Sequence, residues 1–117
     1  MPHQTLDPVF RALADPTRRA VLERLGRGPL SMSELARPFG MALPSFAQHL
    51  DVLERGGLVR SRKAGRVRTY RLVPQPLQAA ARWLDQQRAV WERRLDQLDD
   101  YLIELQPDPL SKEPRTP

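Results

Sequence analysis

Apolar residues recur three or four positions apart along the first half of the chain, and this spacing predicts four helices. The helices cover about residues 6–14, 17–25, 31–39 and 43–55. The second opens with an Asp-Pro pair and the third with a Ser-Met-Ser-Glu capping box, both of which are helix-start signals. Two helices joined by a short glycine turn are typical of a helix-turn-helix, so the fourth helix is the candidate recognition helix.

The fourth helix has two distinct faces. Phe46, Leu50 and Leu53 share one face, which we expect to pack on the earlier helices. The face that points away from them carries Pro44, Gln48, Asp51 and Arg55, flanked by Ser45 and Ala47. This polar face is free to enter the groove of a nucleic acid.

After the fourth helix the apolar period changes from helical to two, which predicts a β-hairpin. Its strands cover residues 58–63 and 66–73 around a turn at 64–65. Tyr70 and Leu72 share the face that covers the core. The predicted fold class is therefore mainly α with a small β-hairpin (α+β), in a winged helix-turn-helix arrangement.

The net charge of +5 is concentrated on this hairpin. Residues 55–71 contain seven cations and no acid, whereas the segments before and after them are neutral or acidic. Arg66 and Arg68 lie near the tip, beyond anything they can pack against. A basic hairpin beside a recognition helix can place arginines in a minor groove or on backbone phosphates. A solvated basic hairpin without a partner is the alternative.

A heptad pattern marks the last helix, about residues 76–105. Its apolar seam alternates steps of four and three and contains Leu77, Ala81, Leu84, Arg88, Trp91, Leu95, Leu98, Leu102 and Leu105. A helix of this length extends about 42 Å, more than so small a domain can cover, so we expect a homodimer. Arg88, the charged member, either meets an acid of the partner chain, such as Asp85 or Glu92, or extends to solvent.

Composition excludes several classes of protein. The chain has no cysteine, so disulfides and thiolate metal sites are absent, and no run of 18 apolar residues that could span a membrane. No secretory signal is recognisable, and we expect a cytoplasmic protein. The sequence contains no phosphate loop and no glycine fingerprint, so we expect no enzyme. Residues 1–105 form one predicted domain, and residues 106–117, with four prolines, form a disordered tail.

Three segments together resemble the ArsR-type winged helix-turn-helix repressors of prokaryotes. They are LADPTRRAVL at residues 13–22, MALPSFAQHLDVLERGGLV at 41–59 and GRVRTYRL at 65–72. The resemblance implies a symmetric dimer joined by the first and last helices, which binds a pseudo-palindromic operator in double-stranded DNA and blocks transcription. It also implies DNA contacts from positions 42–49. The alternative is a winged-helix module that binds proteins, or nucleic acids non-specifically.

Two sets of site residues follow from the patterns and the resemblance together. The predicted DNA contacts are Ala42, Leu43, Pro44, Ser45, Gln48, His49, Arg62, Lys63, Arg66 and Arg68. The predicted dimer interface consists of Leu6, Phe10, Leu77, Leu84, Arg88, Trp91, Leu95, Leu98 and Leu102.

The recognition segment departs from the family pattern. Many members have serine where this chain has Ala42 and Ala47, and the two missing hydroxyls weaken the helix N-cap and the phosphate contacts. Gln48 remains the best base reader, because its amide can pair with adenine through two hydrogen bonds. For His49 we favour a phosphate contact over a packed helix histidine. Asp51 would repel DNA at close range, so we expect it at the groove margin.

The family is known for metal sensing, but this chain offers His3 and His49 as its histidines and no clustered ligands. We therefore expect no metal and no cofactor. Repression relieved by a small-molecule effector or a protein partner stays open, as does repression without any ligand. Trp83, Trp91 and Tyr101 could line an effector pocket, although aromatic residues at this spacing are more often interface core.

Overall fold

A computed structural model describes the backbone of residues 2–105 and the side chains of residues 6–105. The predicted tail at 106–117 lies outside the described residues. The chain divides into two compact units after Ala81, and each is described by itself.

Within residues 2–105, five α-helices and three β-strands follow one another. They are α1 (Pro2–Leu13), α2 (Pro16–Leu25), β1 (Leu30–Ser31), α3 (Met32–Ala36), α4 (Leu43–Arg55), β2 (Val59–Ala64), β3 (Val67–Leu72) and α5 (Pro74–Leu105). A single 3₁₀ turn, Arg37–Phe39, extends α3. The mainly helical fold with a small hairpin is confirmed.

Both predicted N-caps of the first unit are present. The carboxylate of Asp15 accepts a hydrogen bond from the backbone N–H of Arg18 at 3.1 Å, and Pro16 occupies the first turn of α2. At α3, Ser31 Oγ accepts from the N–H of Glu34, whose Oε1 accepts from the N–H of Ser31 at 2.8 Å. These bonds satisfy N–H groups that have no partner inside a helix.

Two helices begin earlier than the sequence predicts. The first starts at Pro2 and contains Pro8, whose missing N–H removes one helical hydrogen bond. Burial of Val9 and Ala12 in the core keeps the helix continuous across this proline. The last helix starts at Pro74, because first-turn positions need no N–H donor and therefore tolerate proline.

The hairpin is part of a three-stranded antiparallel sheet in the order β1-β3-β2. The two-residue strand β1 was not predicted; Leu30 pairs with Tyr70 and Ser31 with Thr69. The predicted turn at 64–65 is wrong by one residue. Because Ala64 pairs with Val67, the turn residues are Gly65 and Arg66. Gly65 has a φ of +64°, which suits the first central position of a type II′ turn.

One apolar core holds the first unit together. The predicted core face of α4 is buried, with Phe46 and Leu53 at 0% exposure and Leu50 at 1%. Tyr70 closes the core from the sheet, and Leu72 packs against it. The remaining core residues are Val9, Ala12, Val21, Leu22, Leu25, Leu35, Ala36, Leu58, Val59 and Ala80. This core fixes which face of α4 remains exposed.

Candidate DNA-binding surface

The turn between α3 and α4 fixes where the candidate recognition helix begins. Gly40 has a φ of +62° and a ψ of 20°, a left-handed conformation that ends the preceding 3₁₀ turn. The N-cap of α4 is Ala42, which supplies no side-chain hydrogen bond. The weakened N-cap expected from the sequence is confirmed.

The exposed face of α4 agrees with the helical periodicity. Pro44, Ser45, Gln48, Asp51 and Arg55 are all exposed, and Leu43 at the start of the helix is 56% exposed. The carboxylate of Asp51 forms an ion pair with the guanidinium of Arg55, one helical turn away, with Oδ2 2.8 Å from Nε. This pairing neutralises the acid that would otherwise repel a phosphate backbone.

His49 is held by Asp15, which lies between α1 and α2, and by Arg18 in the first turn of α2. Its Nδ1 lies 3.3 Å from Nη1 of Arg18 and 3.6 Å from Oδ2 of Asp15. A guanidinium can only donate, so in the neutral imidazole this contact uses the Nδ1 lone pair and leaves the proton on Nε2. Within residues 2–105, Nε2 has no hydrogen-bond partner. The ring is therefore both packed and free to donate at one edge.

The Asp15 carboxyl beside this histidine is electrostatically perturbed. Desolvation raises its pKa, but the hydrogen bond from the Arg18 N–H and the charges of His49 and Arg18 outweigh it, so the pKa is lowered overall. Sequence analysis assigned Asp15 as an N-cap but missed its contact with His49. The sequence shows only the Asp-Pro-Thr-Arg motif at residues 15–18. The spacing within this motif does not reveal that Arg18 contacts a residue 31 positions later in the chain.

The inner face of the hairpin is linked to α4 through a chain of hydrogen bonds. Nη1 of Arg68 donates to Ser61 Oγ at 2.8 Å, and Ser61 Oγ donates to Oε2 of Glu54 at 2.9 Å. The expectation that Arg68 lies beyond any packing partner is wrong. The reason is register: Arg68 pairs with Lys63 and shares the face of Ser61 and Tyr70.

The other hairpin cations are exposed. Arg66 lies in the turn, and Lys63, the cross-strand partner of Arg68, lies one residue pair away from the turn. Arg62 lies on the opposite, outer face together with Arg60 and Arg71. No ion pair involves Arg60, Arg62, Lys63, Arg66 or Arg71 in the described part of the chain. The hairpin is thus an uncompensated positive surface.

The predicted dimer residues fall into two groups. In the first unit, Leu6, Phe10 and Leu77 are partly buried and pack against the core of their own chain. In the second unit, the other apolar members are exposed: Leu84 44%, Trp91 52%, Leu95 59%, Leu98 49% and Leu102 47%. A stripe of this size on one helix is unusual for a surface in contact with water.

Arg88 lies on the same stripe and is paired within its own helix. Its guanidinium is 3.2 Å from Oδ1 of Asp85 and 3.9 Å from Oε2 of Glu92. These are the two acids for which a cross-chain contact was left open. In the single chain they are neighbours at i−3 and i+4, and all three side chains are about two thirds exposed.

The described residues contain no group of three or more His, Cys, Asp or Glu side chains that could hold a metal ion. None of the helices in residues 2–105 is both long enough and apolar enough to cross a membrane.

Comparison with known proteins identifies the family of this chain. Residues 13–62 match the model of a helix-turn-helix domain. The HTH-type transcriptional regulator Rv2034 of Mycobacterium tuberculosis is 44% identical over 93 residues, which span 80% of this chain and 84% of that protein.

Solved structures are also similar to this chain, and two of them show the family and the assembly. The ArsR family transcriptional regulator RHA00566 has a TM-score of 0.73 at 54% identity and covers 76% of this chain and 92% of its own. The homodimeric winged helix-turn-helix DNA-binding domain of Mb0332 from Mycobacterium bovis, a possible ArsR-family regulator, has a TM-score of 0.57 at 28% identity, with 80% and 84% covered. With its helix-turn-helix and basic wing, this chain belongs to the ArsR family of winged helix-turn-helix DNA-binding transcriptional regulators.

Proposed function

We infer that the chain acts as a homodimeric repressor at a pseudo-palindromic operator. In this proposal α4 lies in the major groove, and the wing, residues 60–72, reaches the minor groove and backbone through Arg62, Lys63, Arg66 and Arg68. The observation that carries this proposal is the exposed polar face of α4 beside a hairpin whose cations lack acidic partners. Uncompensated cations favour phosphate binding, because each contact releases condensed counterions.

Each predicted contact has a role suited to its chemistry. Gln48 reads a base edge, and Ser45 serves a base or a phosphate. Leu43 presents an exposed apolar side chain to a thymine methyl group, with Ala42 and Pro44 beside it. His49 donates from Nε2 to a phosphate while its other nitrogen is held within the chain. Arg62, Lys63, Arg66 and Arg68 provide the charge of the wing.

The dimer is proposed from the exposed seam of α5. Burying Leu84, Trp91, Leu95, Leu98 and Leu102 against a second copy would remove a large apolar area from water. The Mb0332 domain is described as homodimeric, which supports the same assembly here. Leu6, Phe10 and Leu77 line the edge where the first helix would join the interface. Two copies then present two α4 helices, as a pseudo-palindrome requires.

In this proposal residues 1–105 form one DNA-binding domain, and α5 is its dimerisation helix. The protein acts in the cytoplasm by binding and without catalysis. Repression is relieved by a small-molecule effector.

Fluorescence anisotropy tests the proposal. The full chain is titrated onto a duplex from its own upstream region and onto a scrambled duplex, at about 0.15 M salt, where non-specific binding is weak. A preference of at least about a thousandfold for one genomic duplex supports a sequence-specific regulator. The opposite result is equal affinity for the upstream duplex, the scrambled duplex and duplexes selected from a random pool. It would indicate a non-specific nucleic-acid or protein-binding module instead.

A further inference from the structure

The outer face of the wing sheet carries two arginines to which no role has been assigned. Arg60 and Arg71 are direct cross-strand partners on β2 and β3, and Arg62 follows on the same face. Opposite residues in an antiparallel pair have Cβ atoms about 5 Å apart, and like charges in that position destabilise a sheet. In residues 2–105, neither Arg60 nor Arg71 has a hydrogen bond or an ion pair through its side chain.

The same face contains a depression. Its volume is about 410 Å³, and it is lined by Pro29, Arg60, Ser61, Arg62, Ala64, Thr69 and Arg71. A second depression of about 410 Å³ adjoins it, and both are bordered by Arg60 and Arg71. These volumes are in the range of small-molecule sites, and the Thr69 hydroxyl adds a donor to the floor of the first.

Arg62, a proposed DNA contact, shares this face, but Arg60 and Arg71 lie farther from the tip and are not among the proposed DNA contacts. Glu54 of α4 contacts Ser61 on the inner face of the sheet, so the outer face is directed away from α4. Arg60 also lies four residues from Ala64 at the tip, about 13 Å along the strand. A phosphate bound at the tip therefore cannot reach Arg60 and Arg71.

We propose that the outer face of the wing sheet is a binding site for a small molecule that carries two or more phosphate groups, with Arg60 and Arg71 as its main ligands. Guanidinium groups bind phosphate oxygens through paired hydrogen bonds, and two of them side by side match two adjacent phosphates. Bound anion removes the repulsion between the arginines and adds negative charge to the wing. As a regulatory site, it would weaken DNA binding; this second step rests on the proposed function.

Calorimetry of the DNA-free full chain tests the site independently of the proposed function. The probes are inorganic pyrophosphate and inorganic phosphate, titrated at about 0.15 M salt, where weak surface binding is screened. The variant is Arg60→Gln with Arg71→Gln, and the matched control is Arg82→Gln with Arg93→Gln, which removes the same charge from exposed positions of α5. We expect pyrophosphate to bind at least about tenfold more tightly than phosphate, and the wing variant alone to lose this binding. No pyrophosphate binding, or equal binding by all variants, would overturn the site.

A second measurement tests whether the outer face binds a small ligand or the phosphates of a duplex. Random-sequence DNA is titrated with the wing variant and with the control by anisotropy. We expect equal affinities, because Arg60 and Arg71 do not take part in the proposed DNA contact. If the wing variant binds random DNA at least about tenfold more weakly than the control, the outer face contacts the duplex and the small-molecule assignment is wrong.

Discussion

Arg18 of α2 and His49 of α4 are in direct contact, with Nη1 of the arginine 3.3 Å from Nδ1 of the histidine. The same guanidinium donates from Nε to the carbonyl of Ala12 at 2.8 Å and from Nη2 to the carbonyl of Arg11 at 2.9 Å. These carbonyls belong to the last turn of α1, and the carbonyl of Arg11 also accepts a hydrogen bond from the N–H of Ala14 at 3.3 Å. One side chain thus joins α1, α2 and the candidate recognition helix.

Replacing Arg18 should therefore destabilise the fold. We expect Arg18→Ala to lower the free energy of unfolding by about 2 kcal/mol, because charge-assisted bonds to part-buried carbonyls are lost. Arg18→Lys should recover little, since an ammonium lacks the planar fork. Urea unfolding measures both. The control is Arg19→Ala, which removes one exposed bond to the Leu13 carbonyl. If Arg18→Ala costs no more than this control, the junction is not a stabilising element.

Acid should weaken the first unit through Asp15 and Glu34. Hydrogen bonds from Ser31 lower the pKa of Glu34, and the pKa of Asp15 is also lowered, despite desolvation, by its bond from Arg18 and nearby positive charges. A carboxyl whose pKa falls on folding contributes stability above its unfolded pKa, which is about 4, and loses it as pH drops through the folded pKa.

The unfolding free energy should accordingly fall below about pH 5. Asp15→Asn with Glu34→Gln keeps the acceptor oxygens but removes both charges, so its stability should depend less on pH between about 5 and 3. Urea titrations at stepped pH measure this. Glu23→Gln removes an exposed carboxylate that has no ion pair in the described residues. An unchanged slope in the double variant would contradict the assignment.

The parts of the fold that local sequence determines could be predicted. Capping at Asp15 and Ser31 depends on residues three positions apart, and the exposed face of α4 depends on helical period alone. Strand β1 could not be found this way, because two residues have no period and their partners lie about forty positions later.

In the candidate site, too, local sequence predicts some features and tertiary packing determines others. The exposure of Gln48 and the charge of the wing were evident from the sequence. The contact of Arg68 with Ser61 depends on strand register, and the sequence placed the turn one residue too early. The Arg18–His49 contact depends on how α2 packs against α4, which no local pattern encodes.

The left-handed turn before α4 should tolerate few residues. At Gly40 an added Cβ would meet nothing within 4 Å, so a substitution there is penalised by backbone strain alone. We expect Gly40→Ala to cost about 1 kcal/mol and Gly40→Asn less, since asparagine accepts this conformation more readily. Urea unfolding distinguishes the two. Equal destabilisation by the two substitutions would mean that asparagine has no advantage over alanine in this left-handed conformation.

DNA-binding measurements should distinguish residues that read bases from residues that attract phosphates. Gln48→Ala should reduce discrimination between operator and random duplex by about 1–3 kcal/mol, because a base contact is lost. Arg66→Ala should weaken binding to both duplexes and reduce the salt slope by about 1. The control, Arg27→Ala, removes an exposed cation outside α4 and the wing. If Gln48→Ala weakens binding to both duplexes equally, Gln48 does not read a base.

The seam of α5 predicts which substitutions separate the dimer. Trp91 and Leu98 lie one heptad apart on the exposed stripe. In a dimer joined by this stripe, a glutamate at either position would have to be buried without a partner. We expect Trp91→Glu and Leu98→Glu to sediment as monomers at micromolar concentration and to lose operator affinity. Ala89→Glu is the control, because it adds the same charge to the same helix at an exposed position off the seam.

Helical content of the variants, measured by circular dichroism, separates dissociation from unfolding. A monomer that keeps its helices shows that the stripe holds two chains together, since the first unit has its own buried core. Binding to a single half-site should then survive in weakened form, because each chain retains one α4 and one wing. If both variants sediment as dimers, the interface lies elsewhere, and the exposed apolar stripe of α5 must have another partner.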